Sequence, residues 1–277
     1  MIAPADLFEM DGFGHKGFFE GVDYVWEALS RLKGYLKDKI SPNVGAAKNA
    51  MISKTLILHQ GKVLKDNAEI DAGDATKGDL RVIVDGELLE GASVIFAGAF
   101  LFGEDIQLGK GTVVEPGALL RGPTIIGDCT EVRQGAYVRG TCLVGDRCVV
   151  GHTTELKAAI MLNGAKAGHF AYVGDSILGN DVNLGAGTKL ANLKIITQDI
   201  TIRIEGKLFH TGLRKMGAIL GDRAELGCNS VTNPGVILGK GSLVYPCVGV
   251  PPGFYPAKTV ISMRPKDVLS IRTQGIF

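Results

Sequence analysis

The sequence lacks an excess of either charge, a long apolar run and a leader-like N-terminus. Lys and Arg number 30 against 29 Asp and Glu, so the net charge is +1, which excludes binding to nucleic acid or an anionic membrane through bulk charge. No apolar run reaches the roughly 18 residues of a spanning helix. The N-terminal stretch MIAPADLFEMDGFGHKG carries an acidic pair where a signal peptide has basic residues. We therefore expect a cytoplasmic protein that binds neither nucleic acid nor membrane.

Cysteine is also scarce, and no pairing pattern connects the cysteines that are present. The five cysteines are Cys129, Cys142, Cys148, Cys228 and Cys247. They form no CxxC pair and no evident disulfide framework. We predict that they are small buried thiols.

Glycine, in contrast, is abundant, with 39 residues, and its placement follows a six-residue repeat. From Leu108 to Leu162 an aliphatic residue occupies every sixth position, and a small or short side chain usually follows four residues later. A second run extends from Leu220 to Val250, and a weaker run from Val82 to Ile106 leads into the first. This pattern is typical of hexapeptide-repeat solenoids.

The repeat converts spacing in the sequence into geometry. Each unit forms one flat side of a β-helix, where the aliphatic side chain fills the interior and the small residue lets the chain turn the corner. Three sides make one coil, and coils stack about 4.8 Å apart, so residues one coil apart lie above one another. We predict an all-β solenoid, a parallel β-helix, over residues 81–256.

Two segments depart from this repeat. Residues 18–40 place apolar side chains on one helical stripe and end before Pro42, which predicts an amphipathic helix packed against a neighbour. Residues 195–217 combine alternating isoleucines, a Glu205–Gly206 turn and a second short strand. We expect these residues to form an insertion that projects from the solenoid, and such loops often carry function.

The remaining boundaries follow from these elements. We expect residues 1–80 to hold the helix and some short strands, and residues 257–277 to form a C-terminal tail. Nothing in the N-terminal part provides a glycine-rich nucleotide loop or the length of a nucleotide-binding domain.

Three cations are spaced at the repeat of one full coil. The residue after each inward aliphatic side chain points outward, and on one side these residues are Arg121, Arg139 and Lys157. Like charges stacked in this way repel each other by about 1 kcal/mol per pair in water at about 4 Å, unless solvent or a bound anion screens them. The ladder of cations therefore indicates either a phosphate site or a solvated basic face.

A single histidine, His169, stands in a stretch rich in glycine and aliphatic residues. Tyr172, Asn183 and Asn192 follow within about one and a half coils. They supply neutral donors and acceptors of the kind that position a substrate and a tetrahedral oxyanion. The GAG sequence at 185–187 leaves backbone N–H groups accessible. These residues predict either a catalytic base or a structural histidine.

The stretch KAGHFAYVGDSILGNDVNLGAG, residues 166–187, resembles the acetyltransferase domain of GlmU, the bifunctional N-acetylglucosamine-1-phosphate uridylyltransferase/glucosamine-1-phosphate acetyltransferase. It resembles more closely the archaeal-type and short bacterial relatives, whose longer insertion ends in TGLRKMGAILGD. The likeness covers roughly residues 85–255. It implies a left-handed β-helix, a homotrimer, and acetyl-CoA bound between subunits as the cosubstrate for an amino sugar phosphate.

The resemblance also implies a role for individual residues. His169 is the implied general base, the Ala186 N–H the oxyanion donor, and Asn192 a residue that reaches the site of an adjacent subunit. The implied or candidate contacts to the sugar phosphate and its reacting groups are Arg121, Arg139, Lys157, Tyr172, Asn183 and Lys215. Coenzyme A is implied to touch Cys228 and Pro246, although the family commonly has serine in place of Cys228.

Two alternative functions remain, a different enzyme and a non-catalytic binding protein. A γ-type carbonic anhydrase shares the β-helix, and His152 and His169 are about one coil apart, but no further histidine stands where that family's second ligand would be. We therefore predict no metal site. The other alternative is a trimer that binds a sugar phosphate or nucleotide sugar without catalysis. Our preferred interpretation is the acetyltransferase part standing alone.

Overall fold

The computed structural model describes residues 2–45, 49–64, 68–196 and 198–263. These residues form a three-sided parallel β-helix, preceded by a helical segment and accompanied by two small antiparallel sheets. The predicted fold class is thereby confirmed, and the left-handed sense is the one that the resemblance implies. The α-helices are Pro4–Leu7 and Glu27–Lys39, and the 3-10 helices are Lys16–Phe19 and Ala75–Lys77.

The three sides of the β-helix are three sheets, named here the first, second and third side. The first side consists of Leu56–His59, Lys62–Leu64, Ser93–Ile95, Val113–Val114, Glu131–Val132, Val149–His152, Lys166–His169, Asn183–Leu184, Glu225–Leu226, Leu243–Val244 and Val260–Ile261. The second side consists of Ala50–Met51, Phe100–Phe102, Leu119–Arg121, Tyr137–Val138, Glu155–Lys157, Tyr172–Gly174, Lys189–Leu190, Val231–Thr232 and Gly249–Val250. The third side consists of Ile106–Leu108, Thr124–Ile126, Cys142–Val144, Ile160–Met161, Ile177–Leu178, Ala218–Leu220, Val236–Leu238 and Gly253–Tyr255.

The interior of the β-helix is the column of aliphatic side chains that the repeat predicts. Val132, Val138 and Val144, which represent one coil, are fully buried and belong to one continuous cluster. The small corner residues are also buried, and their hydroxyl groups bond backbone carbonyls of the same coil or of an adjacent coil. The Thr112 hydroxyl, for example, donates to the Gly127 carbonyl at 2.7 Å and accepts from the Thr130 amide, so this buried hydroxyl is fully paired.

The coil becomes shorter by a single position in the middle of the solenoid. Val138 pairs with Leu156, whereas Leu143 pairs with Ile160, so the spacing between paired residues decreases by one between these two strands. Met161 therefore takes the inward position beside Val144, and the prediction that Leu162 fills the interior is wrong. Leu162 is instead buried in the apolar cluster outside the third side.

The β-helix begins later than predicted. Arg81–Val84 and Glu87–Leu88 form a three-stranded antiparallel sheet with Ala68–Asp71, so the weak repeat beginning at Val82 marks this small sheet. The first parallel coil begins at Ser93. At the other end Val260–Ile261 still pairs with the first side, so the solenoid extends beyond the predicted residue 256. Residues 264–277 of the predicted tail lie outside the described residues.

The amphipathic helix is confirmed, but it begins at Glu27 rather than at residue 18. Gly21 has a φ of +64°, a left-handed conformation that interrupts a helix between Lys16–Phe19 and the later segment. The helix buries Leu32 and Leu36 against the outer face of the third side. Burial of each leucine contributes about 1.5 to 3 kcal/mol.

The insertion forms the predicted hairpin, with strands Thr201–Ile204 and Lys207–His210. We expected the insertion to project from the solenoid, but it packs against it. Ile200 and Ile202 are fully buried in the same outer cluster as Ile219 and Ile237 of the third side. The alternating isoleucines are the reason, because they give the hairpin one apolar face that packs on the sheet. The helix and the hairpin together cover the third side, and the small antiparallel sheet packs against the early coils of the first side.

Candidate active site

Four of the predicted site residues lie above one another along the corner between the first and second sides. Parallel pairing aligns Ala167, Leu184, Leu226 and Val244 on successive coils. The residues two positions further along the chain are therefore aligned as well, and these are His169, Ala186, Cys228 and Pro246. At about 4.8 Å per coil, this corner column runs about 14 Å from His169 to Pro246.

The backbone of this corner leaves two amides without a hydrogen-bond partner among the described residues, those of Ala186 and Cys228. The Gly185 amide donates to the Leu226 carbonyl at 2.7 Å, and the Gly187 amide donates to the His169 carbonyl at 3.1 Å. Within the described parts of the chain, no acceptor lies within hydrogen-bonding distance of the Ala186 amide between them. A free amide at a defined position beside a histidine can donate to an oxyanion of a ligand.

His169 ends the strand Lys166–His169 and is exposed at the corner. On the preceding coil it pairs in register with His152, whose Nδ1 lies 3.0 Å from the Gln134 carbonyl oxygen. The His169 ring nitrogens, in contrast, have no hydrogen-bond partner among the residues that the structure describes. The next residue, Phe170, is 53% exposed, with its ring centroid 6.4 Å from the imidazole. The imidazole is therefore free to bond a ligand beside an apolar ring.

A cavity of about 350 Å³ opens beside His169 on the first side. Three of the predicted residues, His169, Asn183 and Ala186, line it. The other wall comes from Asp74 and Thr76, in a segment that precedes the solenoid. The remaining lining residues are Arg133, Val149, Lys166, Gly168, Leu184 and Gly185. The sequence carries no local signal for the wall at Asp74 and Thr76, because it comes from docking of the small antiparallel sheet.

The cation ladder has the predicted register, but two of its members are paired within the chain. Arg139 lies 2.6 Å from Glu155, and Lys157 lies 2.8 Å from Asp175. The hydrogen bond with Glu155 raises the pKa of the Arg139 guanidinium. The Arg121 guanidinium carbon lies 4.5 Å from the centroid of the Phe102 ring. The repulsion expected in the ladder is thus offset by carboxylates, without requiring a bound anion.

Asp175 organises a second group of predicted residues on the second side. It accepts from Lys157 and from the Asn192 side-chain amide. Tyr172 lies across Gly174, since a Cβ built there would come 2.5 Å from the Tyr172 hydroxyl. Burial raises the pKa of the Tyr172 hydroxyl. Lysine, amide and phenol therefore meet around one carboxylate.

Lys215 lies close to this second group. It is exposed, and the amide of the next residue, Met216, donates to the Asn192 carbonyl at 3.0 Å. The end of the insertion thus returns to the second side beside Asn192, although the hairpin itself packs elsewhere.

The predicted residues therefore fall into two groups. One comprises the corner column and Asn183, of which His169, Asn183 and Ala186 line the cavity. The other comprises Arg121, Arg139, Lys157, Tyr172 and Asn192 on the second side, with Lys215 beside Asn192. The cavity includes none of the second group.

The prediction that all five cysteines are buried is wrong for three of them, since Cys129 is half-buried and Cys228 and Cys247 are exposed. Cys142 and Cys148 are buried, and burial raises the pKa of each thiol to about 12. Cys228 and Cys247 are exposed because they occupy the outer corner, where the Cys247 amide donates to the Cys228 carbonyl at 2.9 Å.

The described residues include no group of three or more His, Cys, Asp or Glu side chains that could hold a metal ion. In the same residues, no helix has the length and apolar character required to cross a bilayer.

Comparison with known proteins finds a family match in the centre of the chain and relatives that match about a third of its length. A family described as the GMPPB C-terminal domain matches residues 120–211. The bifunctional sugar-1-phosphate nucleotidylyltransferase/acetyltransferase of Sulfurisphaera tokodaii is 38% identical over 97 residues, which are 35% of this chain and 24% of that protein. The bifunctional protein GlmU of Methanococcus vannielii is 38% identical over 95 residues, 34% of this chain and 23% of that protein. The chain thus spans about a quarter of the length of these relatives.

Among solved structures, the acetyltransferase domain of PglB from Neisseria gonorrhoeae, in complex with acetyl coenzyme A, aligns with 14% identity and a TM-score of 0.26. The alignment covers 62% of this chain and 57% of that one, and a similarity this low supports no inference about the site. The curated relatives confirm the resemblance: over about a third of its length, the chain is similar to GlmU-type proteins.

Proposed function

We propose that this protein is an acetyl-CoA-dependent N-acetyltransferase that acts on an amino sugar 1-phosphate, with His169 as general base. The observation that supports this most is the corner column. It places an unpartnered imidazole, an unpartnered amide and the two implied coenzyme A contacts in one line. The names of the curated relatives agree with the reaction class.

The proposed reaction needs one base and one oxyanion donor. The sugar amine attacks the thioester carbonyl of acetyl-CoA while the His169 imidazole accepts the amine proton. The carbonyl oxygen becomes an oxyanion, to which the Ala186 N–H donates. Collapse of the tetrahedral intermediate breaks the C–S bond, and the coenzyme A thiolate receives the proton from His169. Thioester plus amine thus become amide plus thiol.

The acyl donor and acceptor would approach from different directions. In this proposal coenzyme A extends along the later coils past Cys228 and Pro246, and the acceptor amine reaches His169 from the side of Asn183. The phosphate contacts implied for Arg139 and Lys157 lie on the second side, so in this proposal they serve the His169 site of another copy.

We accordingly propose a homotrimer with sites shared between chains. The third side is covered by the helix and the hairpin, and the early coils of the first side are covered by the small antiparallel sheet, so the second side and the later coils of the first side are the faces through which copies can meet. A cyclic trimer would bring the second side of one copy against the corner column of the next. Asn192 would then act in the neighbouring site.

The test is free-thiol release from acetyl-CoA with amino sugars and their 1-phosphates as acceptors. We expect turnover with a phosphorylated amino sugar, and a loss of roughly 10² to 10⁴ in His169→Ala with an unchanged circular dichroism spectrum. His152→Ala, on the preceding coil, is the matched control and should retain activity. If the wild type binds glucosamine-1-phosphate but releases no thiol with any acceptor, the protein is a non-catalytic binder instead.

A further inference from the structure

Two histidines occupy the same position on neighbouring coils, at the corner between the first and second sides. His152 pairs in register with His169, so their Cα atoms lie about 4.8 Å apart. Paired residues of parallel strands share a face, and both side chains are exposed. The proposed reaction uses only His169, which leaves His152 without a role.

The His152 ring is held in the orientation of a metal ligand. Its Nδ1 lies 3.0 Å from the Gln134 carbonyl oxygen. Because a carbonyl can only accept a hydrogen bond, Nδ1 carries the hydrogen, and Nε2 of the neutral ring keeps a free lone pair. Metal-binding histidines almost always donate their other ring nitrogen in this way, to a carboxylate, a backbone carbonyl or water.

The surroundings of the two rings leave room for an ion. The outward position just before each histidine is glycine, and glycine continues in this column on the later coils, at Gly151, Gly168, Gly185 and Gly227. This column therefore has no side chains beside the imidazoles. The His169 ring has no hydrogen-bond partner within the described ranges, so it can rotate towards a shared ion.

We propose that His152 and His169 together bind a divalent transition-metal ion of the zinc type. Zinc binds imidazole nitrogen at about 2.0 to 2.1 Å, so two nitrogens of a tetrahedral site lie about 3.3 Å apart. With His152 fixed and His169 free, rotation of one exposed ring brings two nitrogens on neighbouring coils to this distance. Water fills the other two positions of the ion. The site differs from the zinc centre of a carbonic anhydrase, which needs three histidines.

Zinc at this pair acts on the proposed reaction by occupying its base. A His169 nitrogen that coordinates zinc has no lone pair with which to accept the amine proton. The zinc-bound protein is therefore inactive, and removal of the metal restores turnover. Binding of zinc is independent of the proposed function, and only the inhibition rests on it.

Exposed thiols are the other zinc ligands near this corner. Cys228 lies two coils after His169 in the corner column, about 10 Å away. This is too far for the two side chains to share one ion with His152. Cys247 lies one coil further, where its amide donates to the Cys228 carbonyl. The double variant Cys228→Ser/Cys247→Ser removes both thiols and keeps the histidines, so it is the reference chain for zinc binding.

Calorimetric titration of zinc chloride into this reference chain measures binding without turnover. His152→Ala and His169→Ala, each added to the reference chain, should weaken zinc binding at least roughly ten-fold. His210→Ala, at an exposed histidine of the hairpin, is the matched control and should bind zinc like the reference chain. Magnesium chloride should not bind, because Mg²⁺ prefers oxygen ligands. Unchanged zinc affinity in either of the two corner variants, or equally tight binding of Mg²⁺, would overturn the proposal.

Inhibition is measured through the N-acetylated product, because the coenzyme A thiol itself binds zinc. Saturating zinc should lower the wild-type rate roughly 10²-fold or more, and a chelator should restore it. His152→Ala, which we expect to be active, should keep most of its rate at the same zinc concentration. Equal inhibition of both proteins would refute inhibition through this pair. If no acceptor is acetylated even without zinc, the proposed function fails, while calorimetry still decides whether the histidines bind the metal.

Discussion

Glu131 offers a direct measure of how the wall of the cavity is held. One carboxylate oxygen accepts the Ala75 amide at 3.0 Å, and the other pairs with Arg133 at 2.7 Å. The Glu131 side chain is 9% exposed and the Arg133 side chain 35%. Removing the carboxylate in Glu131→Ala therefore has two different consequences, one for a buried amide and one for a half-exposed cation.

The two effects can be estimated separately. An Ala75 amide left without an acceptor costs about 1 to 3 kcal/mol. The Arg133 guanidinium can turn to solvent, so loss of its pair costs only about 0.2 to 1 kcal/mol. We expect Glu131→Ala to lower the free energy of unfolding by about 2.5 kcal/mol, equivalent to about 5 to 10 °C in Tm for a chain of this size. Glu131→Gln keeps the amide acceptor and should lose only about 0.5 kcal/mol.

Urea unfolding followed by circular dichroism gives the two free energies, and hydrogen exchange of peptides that contain Ala75 shows where the change occurs. Exchange should accelerate in Glu131→Ala and remain close to wild type in Glu131→Gln. Equal destabilisation in both variants would show that the ion pair with Arg133, rather than the amide bond, holds the wall. Unchanged exchange in Glu131→Ala would refute the anchoring role altogether.

Three further predictions concern the buried thiols, the packing of the hairpin and the sites shared between chains. Burial raises the pKa of the Cys142 and Cys148 thiols, so above about pH 9 only the unfolded state loses these protons. The free energy of unfolding should therefore fall by up to about 1.4 kcal/mol per pH unit for each thiol. A free energy that stays constant in urea titrations from pH 8 to 10 would contradict this. Ile202→Ala should cost about 2 to 5 kcal/mol and expose the hairpin to proteolysis, whereas an unchanged cleavage pattern would deny its anchoring. Co-expressed His169→Ala and Asn192→Ala chains should recover activity in mixed trimers, and a light-scattering mass of one chain would exclude shared sites.

The repeat predicts the interior because one inward aliphatic residue per side is a local constraint that every coil repeats. It cannot predict where a coil loses a residue. Between Leu156 and Met161 the coil becomes shorter by a single position, and a corner can absorb that change without altering the composition. The unbroken repeat therefore predicts Leu162 in the interior, whereas its neighbour Met161 occupies that position.

The ion pair between Arg139 and Glu155 could, in contrast, be predicted from spacing. Glu155 stands two residues before Lys157, at an outward position, and pairs in register with Tyr137. Glu155 therefore lies on the coil after Arg139 and diagonal to it, close enough for a long side chain to reach. The cavity wall at Asp74 could not be found in this way, because it depends on a contact between residues 56 positions apart in the chain, Ala75 and Glu131.

Packing explains why the accessible chemistry lies on two sides of the prism and not on the third. Strands of the third side carry apolar residues on both faces, as in Thr124–Ile126, where Ile126 fills the interior and Ile125 packs outward. A face of this kind must be covered, and the helix Glu27–Lys39 and the hairpin cover it. The first side instead has glycine in its outward column, so a ligand can approach the backbone beside His169. The corner between the first and second sides is therefore where an exposed imidazole, a free amide and an open cavity can meet.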